Sequence, residues 1–324
     1  MQNIHRAREP TANAIAPADT RISLSPSGPV HTKRAAPATG YMVKDGRPFL
    51  MLINPLHVIL WTFRRSEHDV INLYNSLSPV MQLATGGDML NFGYWNDNSS
   101  DLVEAQDNLC SMIDDIAELS SANRLIDVGS GLSAPAARWK SVHSSLDISC
   151  VNINFQQLMS AKHIKASLLN ATSTALPFSD KSADRIVALE SAQHFKPLDK
   201  FIKESRRVLE PGGLLVIAIP VVTAAHPFFQ LGILSWTWSS ERYELEHVKS
   251  AIARNGFKIQ DIRHIGHQVY EPLTDYYVIH RRSLRENILK RYPSFLENVL
   301  YNSLLKMRDV SRKGIIDYII VKAA

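Results

Sequence analysis

Leu125-Ile126-Asp127-Val128-Gly129-Ser130-Gly131 is the stretch on which the fold turns. Arg124 to Val128 is a short apolar strand, and Gly-Ser-Gly ends it. Ala134 to Lys140 then reads as a helix, with Pro135 in its first turn, where a missing N–H costs nothing. A strand that runs through a Gly-x-Gly turn into a helix brings backbone close to a ligand, because glycine has no Cβ to block the approach. The expected ligand lies at the carboxyl ends of the strands.

The pattern continues downstream. Ile148 to Ile153 reads as a second strand, Phe155 to Lys165 as a helix and Ala166 to Asn170 as a third strand. Arg185 to Leu189 is a fourth strand, and Lys200 to Leu209 a helix ended by Pro211-Gly212-Gly213. Leu214 to Ile219 is a fifth strand. This alternation predicts a parallel sheet with helices on both faces. Further on, Leu245, Val248 and Ile252 mark a helix that stops at Asn255-Gly256, and Phe257 to His264 reads as a strand. Helices follow at about 284–292 and 294–307, and Gly314 to Val321 is a last strand. Upstream, Val70, Leu73, Tyr74 and Leu77 recur at helical spacing. Asp101 to Leu119 is an amphipathic helix with Asp101 as N-cap.

Two cofactor classes fit the Gly turn. Gly129-x-Gly131-x-x-Ala134, with Asp147 downstream, satisfies a dinucleotide fingerprint and keeps a nicotinamide-dependent oxidoreductase open. Asp127 inside the strand, and Asp147 before the second strand instead of at its end, argue against it. The segment from Asp127 to Ala136 resembles the first motif of class I S-adenosylmethionine-dependent methyltransferases. Leu176-Pro177-Phe178, Asp180 and Asp184, Ala188 to Phe195 (ALESAQHF), and Arg207 to Gly213 (RVLEPGG) resemble that family's later motifs, in its order. Asn91-Phe92-Gly93-Tyr94-Trp95 resembles an aromatic motif of its small-molecule members, of natural-product and sterol type.

The resemblance implies a Rossmann-like α/β fold with a seven-stranded, mostly parallel sheet whose last strand is antiparallel. It implies S-adenosyl-L-methionine as cofactor and a small lipophilic acceptor. The expected organisation is a disordered leader over 1–40, a helical substrate cap over 41–120 and a cofactor-binding core over 121–221. A lid, C-terminal helices and the last strands fill 222–324. Asp127 is expected to organise Gly129, Ser130, Gly131 and the methionine end of the cofactor. Asn152 stands where the family often has a ribose-binding acid, and Thr172 and Ser173 where an acid near the adenine is usual. Ser133 replaces a frequent third glycine. These departures keep a degenerate, non-catalytic protein as a further alternative. Gln157 is either a ribose ligand or a surface helix residue. Tyr94 is expected to close over the cofactor or line the acceptor pocket, with core packing as the alternative, and Glu190 to fix the cofactor or the loop. His194, just past the fourth strand, is the candidate general base for a hydroxyl acceptor; carbon and nitrogen acceptors stay open. Trp95, Gln193, Phe229, Trp236 and Trp238 are expected at the acceptor pocket, the last three on an aromatic lid.

Charge narrows the partners. The chain has 36 Lys and Arg against 31 Asp and Glu, a net charge of +5. Residues 1–40 hold five basic and two acidic residues, and 281–324 hold ten and four. The 21 basic and 25 acidic residues between them leave the middle at −4. No nucleic-acid groove is expected there. The basic ends suit weak contact with a membrane surface, and the aromatic stretch suits a homodimer contact as well as a lid. The Arg-bearing, acid-poor leader admits organelle targeting; otherwise the chain is expected in the cytoplasm. Cys110 and Cys150 are expected as buried free thiols. His226, His264 and His267 have no metal-like spacing, so no metal is expected. Phe49 to Phe63 is apolar but broken by Asn54, Pro55 and His57, and is read as a packing segment or an interfacial anchor.

Overall fold

The computed structural model describes residues 66–223, 228–234 and 240–324. The leader and the Phe49–Phe63 stretch lie outside these residues. So do Trp236 and Trp238, and the side chain of Phe229. The strands are β1 Arg124–Val128, β2 Asp147–Asn152, β3 Ser167–Asn170, β4 Ala183–Leu189, β5 Leu209–Val222, β6 Ile259–His264 and β7 Ile316–Ala323. The helices are α1 Glu67–Thr85, α2 Leu102–Ala117, α3 Ala134–Val142, α4 Phe155–Ser160 and α5 Leu198–Val208. After them come α6 Phe228–Leu231, α7 Leu245–Arg254, α8 Gly266–Leu289 and α9 Ser294–Arg312.

The seven strands lie in the order β3-β2-β1-β4-β5-β7-β6. β1 to β5 pair in parallel, and β7 runs antiparallel to both β5 and β6. This is the α/β architecture the sequence predicts. Strand periodicity of two assigns alternate residues to opposite faces. Leu125, Val187, Val216, Ala218 and Ile320 join one core with residues of α2, α3, α8 and α9. Their strand neighbours Ile126, Ile186, Ala188, Ile217, Ile219 and Val321 join the other, with α5 and α7. Every residue of β4 is buried, as a central strand covered on both faces requires. Cys110 and Cys150 are buried free thiols, as expected.

α1 opens on a capping box: Ser66 Oγ accepts from Asp69 N, and Ser66 N donates to the Asp69 carboxylate at 3.0 Å. α2 opens on Asp101, which accepts from Glu104 N at 2.9 Å. Asp101→Ala is expected to lower stability by about 1 kcal/mol, read as an earlier urea midpoint with an unchanged slope.

The helix expected over Phe155 to Lys165 ends at Ser160, and two larger differences stand beside it. The predicted helix at 284–292 is the end of a 24-residue helix, α8, that begins at Gly266 and contains Pro272. Proline leaves the carbonyl four residues earlier without its helical donor. Here that carbonyl, on Gln268, accepts from Trp95 N at 2.9 Å, so a neighbouring loop supplies the missing N–H. The second difference is at Pro211-Gly212-Gly213. These residues do not merely end α5. They bulge out of β5, which pairs Leu209 with Ala183, then skips to pair Leu214 with Arg185.

Candidate active site

A cavity of about 390 Å³ opens at the carboxyl ends of β1, β2 and β4, with residues of α1, α8 and α9 on its other side. The Gly loop forms part of its wall. Gly129 sits at φ 76°, and a Cβ there would lie 2.4 Å from Ser191 Cβ. Gly131 sits at φ 56°, but its missing Cβ faces open space, with only Leu90 Cδ1 at 3.7 Å. Ser133 also adopts φ 58° and is braced by a 3.0 Å bond between its hydroxyl and that of Ser130. The third glycine is therefore replaced by a serine in the same left-handed backbone, at roughly 1–2 kcal/mol of strain. The N–H groups of Gly129 and Ser130 both donate to Val151 O, at 2.7 and 3.2 Å. They hold the loop to β2 and are not offered to the cavity.

Two buried carboxyls flank this loop. Asp127 is 2% exposed and does not line the cavity; its Oδ2 has no partner among the described residues. Burial pushes its carboxyl up to about 7. Glu190 does line the cavity, at φ 49°. Its Oε1 accepts from Phe92 N at 2.9 Å and from the Tyr318 hydroxyl at 3.1 Å. Burial outweighs these bonds and pushes its carboxyl up to about 8.

His194 sits in the same cavity. Its Nε2 is 2.9 Å from the Tyr74 hydroxyl, and its Nδ1 is buried without a partner. Burial lowers its pKa to about 4, so the imidazole is neutral at pH 7. Tyr74 comes from α1, and burial raises its phenol well above the ordinary range, so its proton stays on. The sequence shows Tyr74 only as one more residue on an apolar helix face. Nothing local marks it as the partner of a residue 120 positions away.

The remaining expected residues divide. Asn152 and Gln157 line the cavity, but their amides are used internally. Asn152 Nδ2 donates to Gly131 O at 3.0 Å and to Gln157 Oε1 at 2.9 Å, and its Oδ1 accepts from Asn154 N. Gln157 Nε2 donates to Ser78 Oγ of α1 at 2.9 Å. Gln157 is buried, not a surface helix residue. Thr172 and Ser173 line the cavity, and Thr172 Oγ1 donates to the Glu67 carboxylate of α1. Gln193 lines it too, donating to Glu190 O at 2.7 Å, with its own Oε1 buried and unpartnered.

Tyr94 and Trp95 do not line this cavity, which corrects the expected placement of both. The backbone of their loop is clamped to α2: Tyr94 N donates to Ala105 O at 2.8 Å, and Gln106 Nε2 donates to Met89 O and Asn91 O. Tyr94 packs against the core, while Trp95 is buried beside Tyr276 and its backbone serves α8. From this motif it is Asn91 and Phe92 that reach the cavity. Among the described residues no group of three His, Cys, Asp or Glu could hold a metal ion. His264 and His267 instead pair with Asp317 and Glu271, both at 2.6 Å. No helix among them is long and apolar enough to cross a membrane.

Open space before Gly131 and cavity-lining carboxylates at Glu67 and Asp88 fit a cofactor that carries positive charge. Comparison with known proteins agrees. Residues 126–217 match the model of a family described as "Methyltransferase domain". Erythromycin 3''-O-methyltransferase of Saccharopolyspora erythraea is 28% identical over 166 residues, 49% of this chain and 54% of that protein. Methyltransferase GfsG of Streptomyces halstedii is 34% identical over 170 residues, 49% of this chain and 60% of that one. The match thus spans a little over half the length of these relatives. Among solved structures, the 4+2 cyclase SpnF superposes with a TM-score of 0.63 at 20% identity, over 80% of this chain and 96% of that one. Residues 126–217 are thus similar to a methyltransferase domain, and the chain shares its fold with the 4+2 cyclase SpnF.

Proposed function

We propose that this protein is an S-adenosylmethionine-dependent methyltransferase that methylates a hydroxyl group on a lipophilic small molecule, with His194 as general base. The observation that carries this reading is the neutral imidazole of His194, held by Tyr74 in the same cavity as the Gly loop. S-adenosylmethionine supplies a methyl group made electrophilic by its sulfonium. The chain's tasks are to hold it, to orient the acceptor, to exclude water and to remove a proton. The Gly129–Gly131 turn, Thr172, Ser173 and Glu190 would hold the cofactor. Asn152 and Gln157 act through the loop they brace, linking Gly131 to α1. α1 crosses the mouth of the site and is fastened to it at Thr172, Asn154, Gln157 and His194. That arrangement supports a role for the N-terminal helical segment as a cap that keeps water out.

Tyr74 fixes the ring through Nε2, and the base role requires the tautomer in which Nε2–H donates to the phenol oxygen and the lone pair lies on the buried Nδ1. A base with a pKa near 4 remains unprotonated across the physiological range. It is a weak base in the ground state.

Calorimetric titration with S-adenosylmethionine is expected to show binding, and titration with NAD none; tight NAD binding alone would overturn the reading. His194→Ala is expected to lower kcat by about 10²–10³ with cofactor affinity unchanged. Tyr74→Phe is expected to cost about tenfold. Full turnover by the alanine variant would remove His194 from the mechanism.

A further inference from the structure

The cavity has two unlike ends. Around the Gly loop and His194 it is polar. Away from them it runs between α1, α8 and α9, where Val80, Met81, Leu296, Leu300, Leu304 and Met307 line it. We infer that the acceptor is an uncharged alcohol with a long hydrocarbon body, its hydroxyl at His194 and its chain in the arm between α1 and α9. The inference rests on the methyl-transfer reading of the same cavity.

Charge decides against an anionic acceptor. The described lining residues include the carboxylates of Glu67 and Asp88, the buried Glu190 and the arginine-paired Glu297, and no Lys or Arg. A phosphate or carboxylate entering this space would lose its water with no lining cation to replace it. Two arginines beside the arm pair with its lining residue Glu297. Arg281 Nε lies 2.9 Å from Glu297 Oε1, and Arg285 Nε lies 3.3 Å from Glu297 Oε2. The Glu297 side chain is fully buried while both arginine side chains are partly exposed, so they reach the acid from the solvent side. Arg281 is also fixed over the Tyr301 ring, 3.5 Å from its centre. The two arginines offset the Glu297 charge, and apart from Glu297 and Ser303 the α9 wall of the arm is apolar.

Body length follows from the same wall. Val80 from α1, Ile288 from α8 and Leu296 with Leu300 from α9 pack as one apolar group at the far side of the cavity. A short alcohol held at His194 would leave this surface uncovered. A hydrocarbon tail that reaches it gains affinity with every methylene removed from water.

The test uses the full chain and four probes: 1-decanol, decyl phosphate, decylamine and 1-butanol, titrated with and without S-adenosylhomocysteine. Decanol is expected to bind at least tenfold more tightly than decyl phosphate, and at least tenfold more tightly than butanol. Leu300→Trp is expected to weaken decanol at least tenfold and leave butanol unchanged. Leu300→Lys is expected to close the gap between decanol and decyl phosphate, and Met81→Lys repeats that test from α1 should the first variant fail to fold. Decyl phosphate or decylamine binding as tightly as decanol would overturn the uncharged assignment. Decanol affinity unmoved in Leu300→Trp and in Met81→Trp would overturn the arm. Failure of S-adenosylhomocysteine to bind, with decanol selectivity intact, would count against methyl transfer and leave the arm standing.

Discussion

Gly131→Ala is expected to yield a folded protein that has lost most of its affinity for S-adenosylmethionine, whereas Gly129→Ala is expected to lose the loop itself. The two glycines share a left-handed backbone but not their surroundings. A Cβ at Gly131 meets nothing closer than 3.7 Å, so the variant bears only the left-handed strain, roughly 1–2 kcal/mol. The methyl group would occupy the open space into which a ligand must come. A loss of at least a hundredfold in cofactor affinity, with a melting temperature within a few degrees of wild type, is the expected result. A Cβ at Gly129 would lie 2.4 Å from Ser191 Cβ and 2.8 Å from its Oγ. Ser191 cannot yield, because its hydroxyl donates to Val128 O at 2.6 Å and ties the start of the β4 loop to the end of β1. This variant should lose binding and several kcal/mol of stability together. Calorimetry paired with thermal melting separates the two. If Gly131→Ala binds S-adenosylmethionine as wild type does, the Gly turn is not the cofactor's seat.

The second large effect is a fall in the stability of the cofactor-free protein as pH rises from about 4.5 to 8. Asp127 and Glu190 have folded-state values raised from 3.8 to about 7 and from 4.5 to about 8. The folded state therefore binds more protons than the unfolded state over this window, and stability drops with pH. The stabilisation is fully present below the unfolded values and is gone once pH has passed the folded ones. Each carboxyl accounts for about 5 kcal/mol at most. His194 acts in the opposite sense. Its value is lowered from 6.5 to about 4, so its contribution is present above pH 6.5 and lost as pH falls through 4. It offsets part of the carboxyl effect below pH 6.5. The decline is steepest just above that point, where both carboxyls act unopposed, and it flattens above pH 8. Melting temperatures across pH 5–9 check this, and Asp127→Asn is expected to remove much of the slope. A flat profile in wild-type protein would mean that both carboxyls are solvated and paired.

Much of the sheet was legible because its signals are local. Leu125 to Gly131 shows strand, turn and helix start within a few residues, and the alternation of strands with helices predicts two covered faces. The polarity of β7 came only from the family resemblance. What stayed hidden depends on distant partners. α8 is obscured by Pro272, and only the fold reveals that Trp95 N replaces the lost donor. Asn152 reads as a ribose ligand in sequence because its strand-end position is visible and its bonds to Gly131 O and Gln157 are not. Tyr74 becomes part of the candidate site only when α1 crosses the strand ends. The Tyr94-Trp95 pair shows the reverse error: conspicuous aromatic side chains suggested a pocket, and the backbone of their loop turned out to clamp α2 and α8.

The place of β7 in the sheet carries a consequence for synthesis. Residues 316–323 lie between β5 and β6, so β6 has no strand partner until they arrive. A nascent chain that has emerged only through α9 presents the Leu214–Val222 edge of β5 unpaired. That edge is a run of buried Val, Ile, Leu and Ala, broken only by Pro220, in the finished fold. Exposed apolar strand edges recruit other chains. Pausing or truncation between residues 223 and 315 is thus the interval in which this chain is most prone to aggregate, and a chaperone that shields β5 would act there.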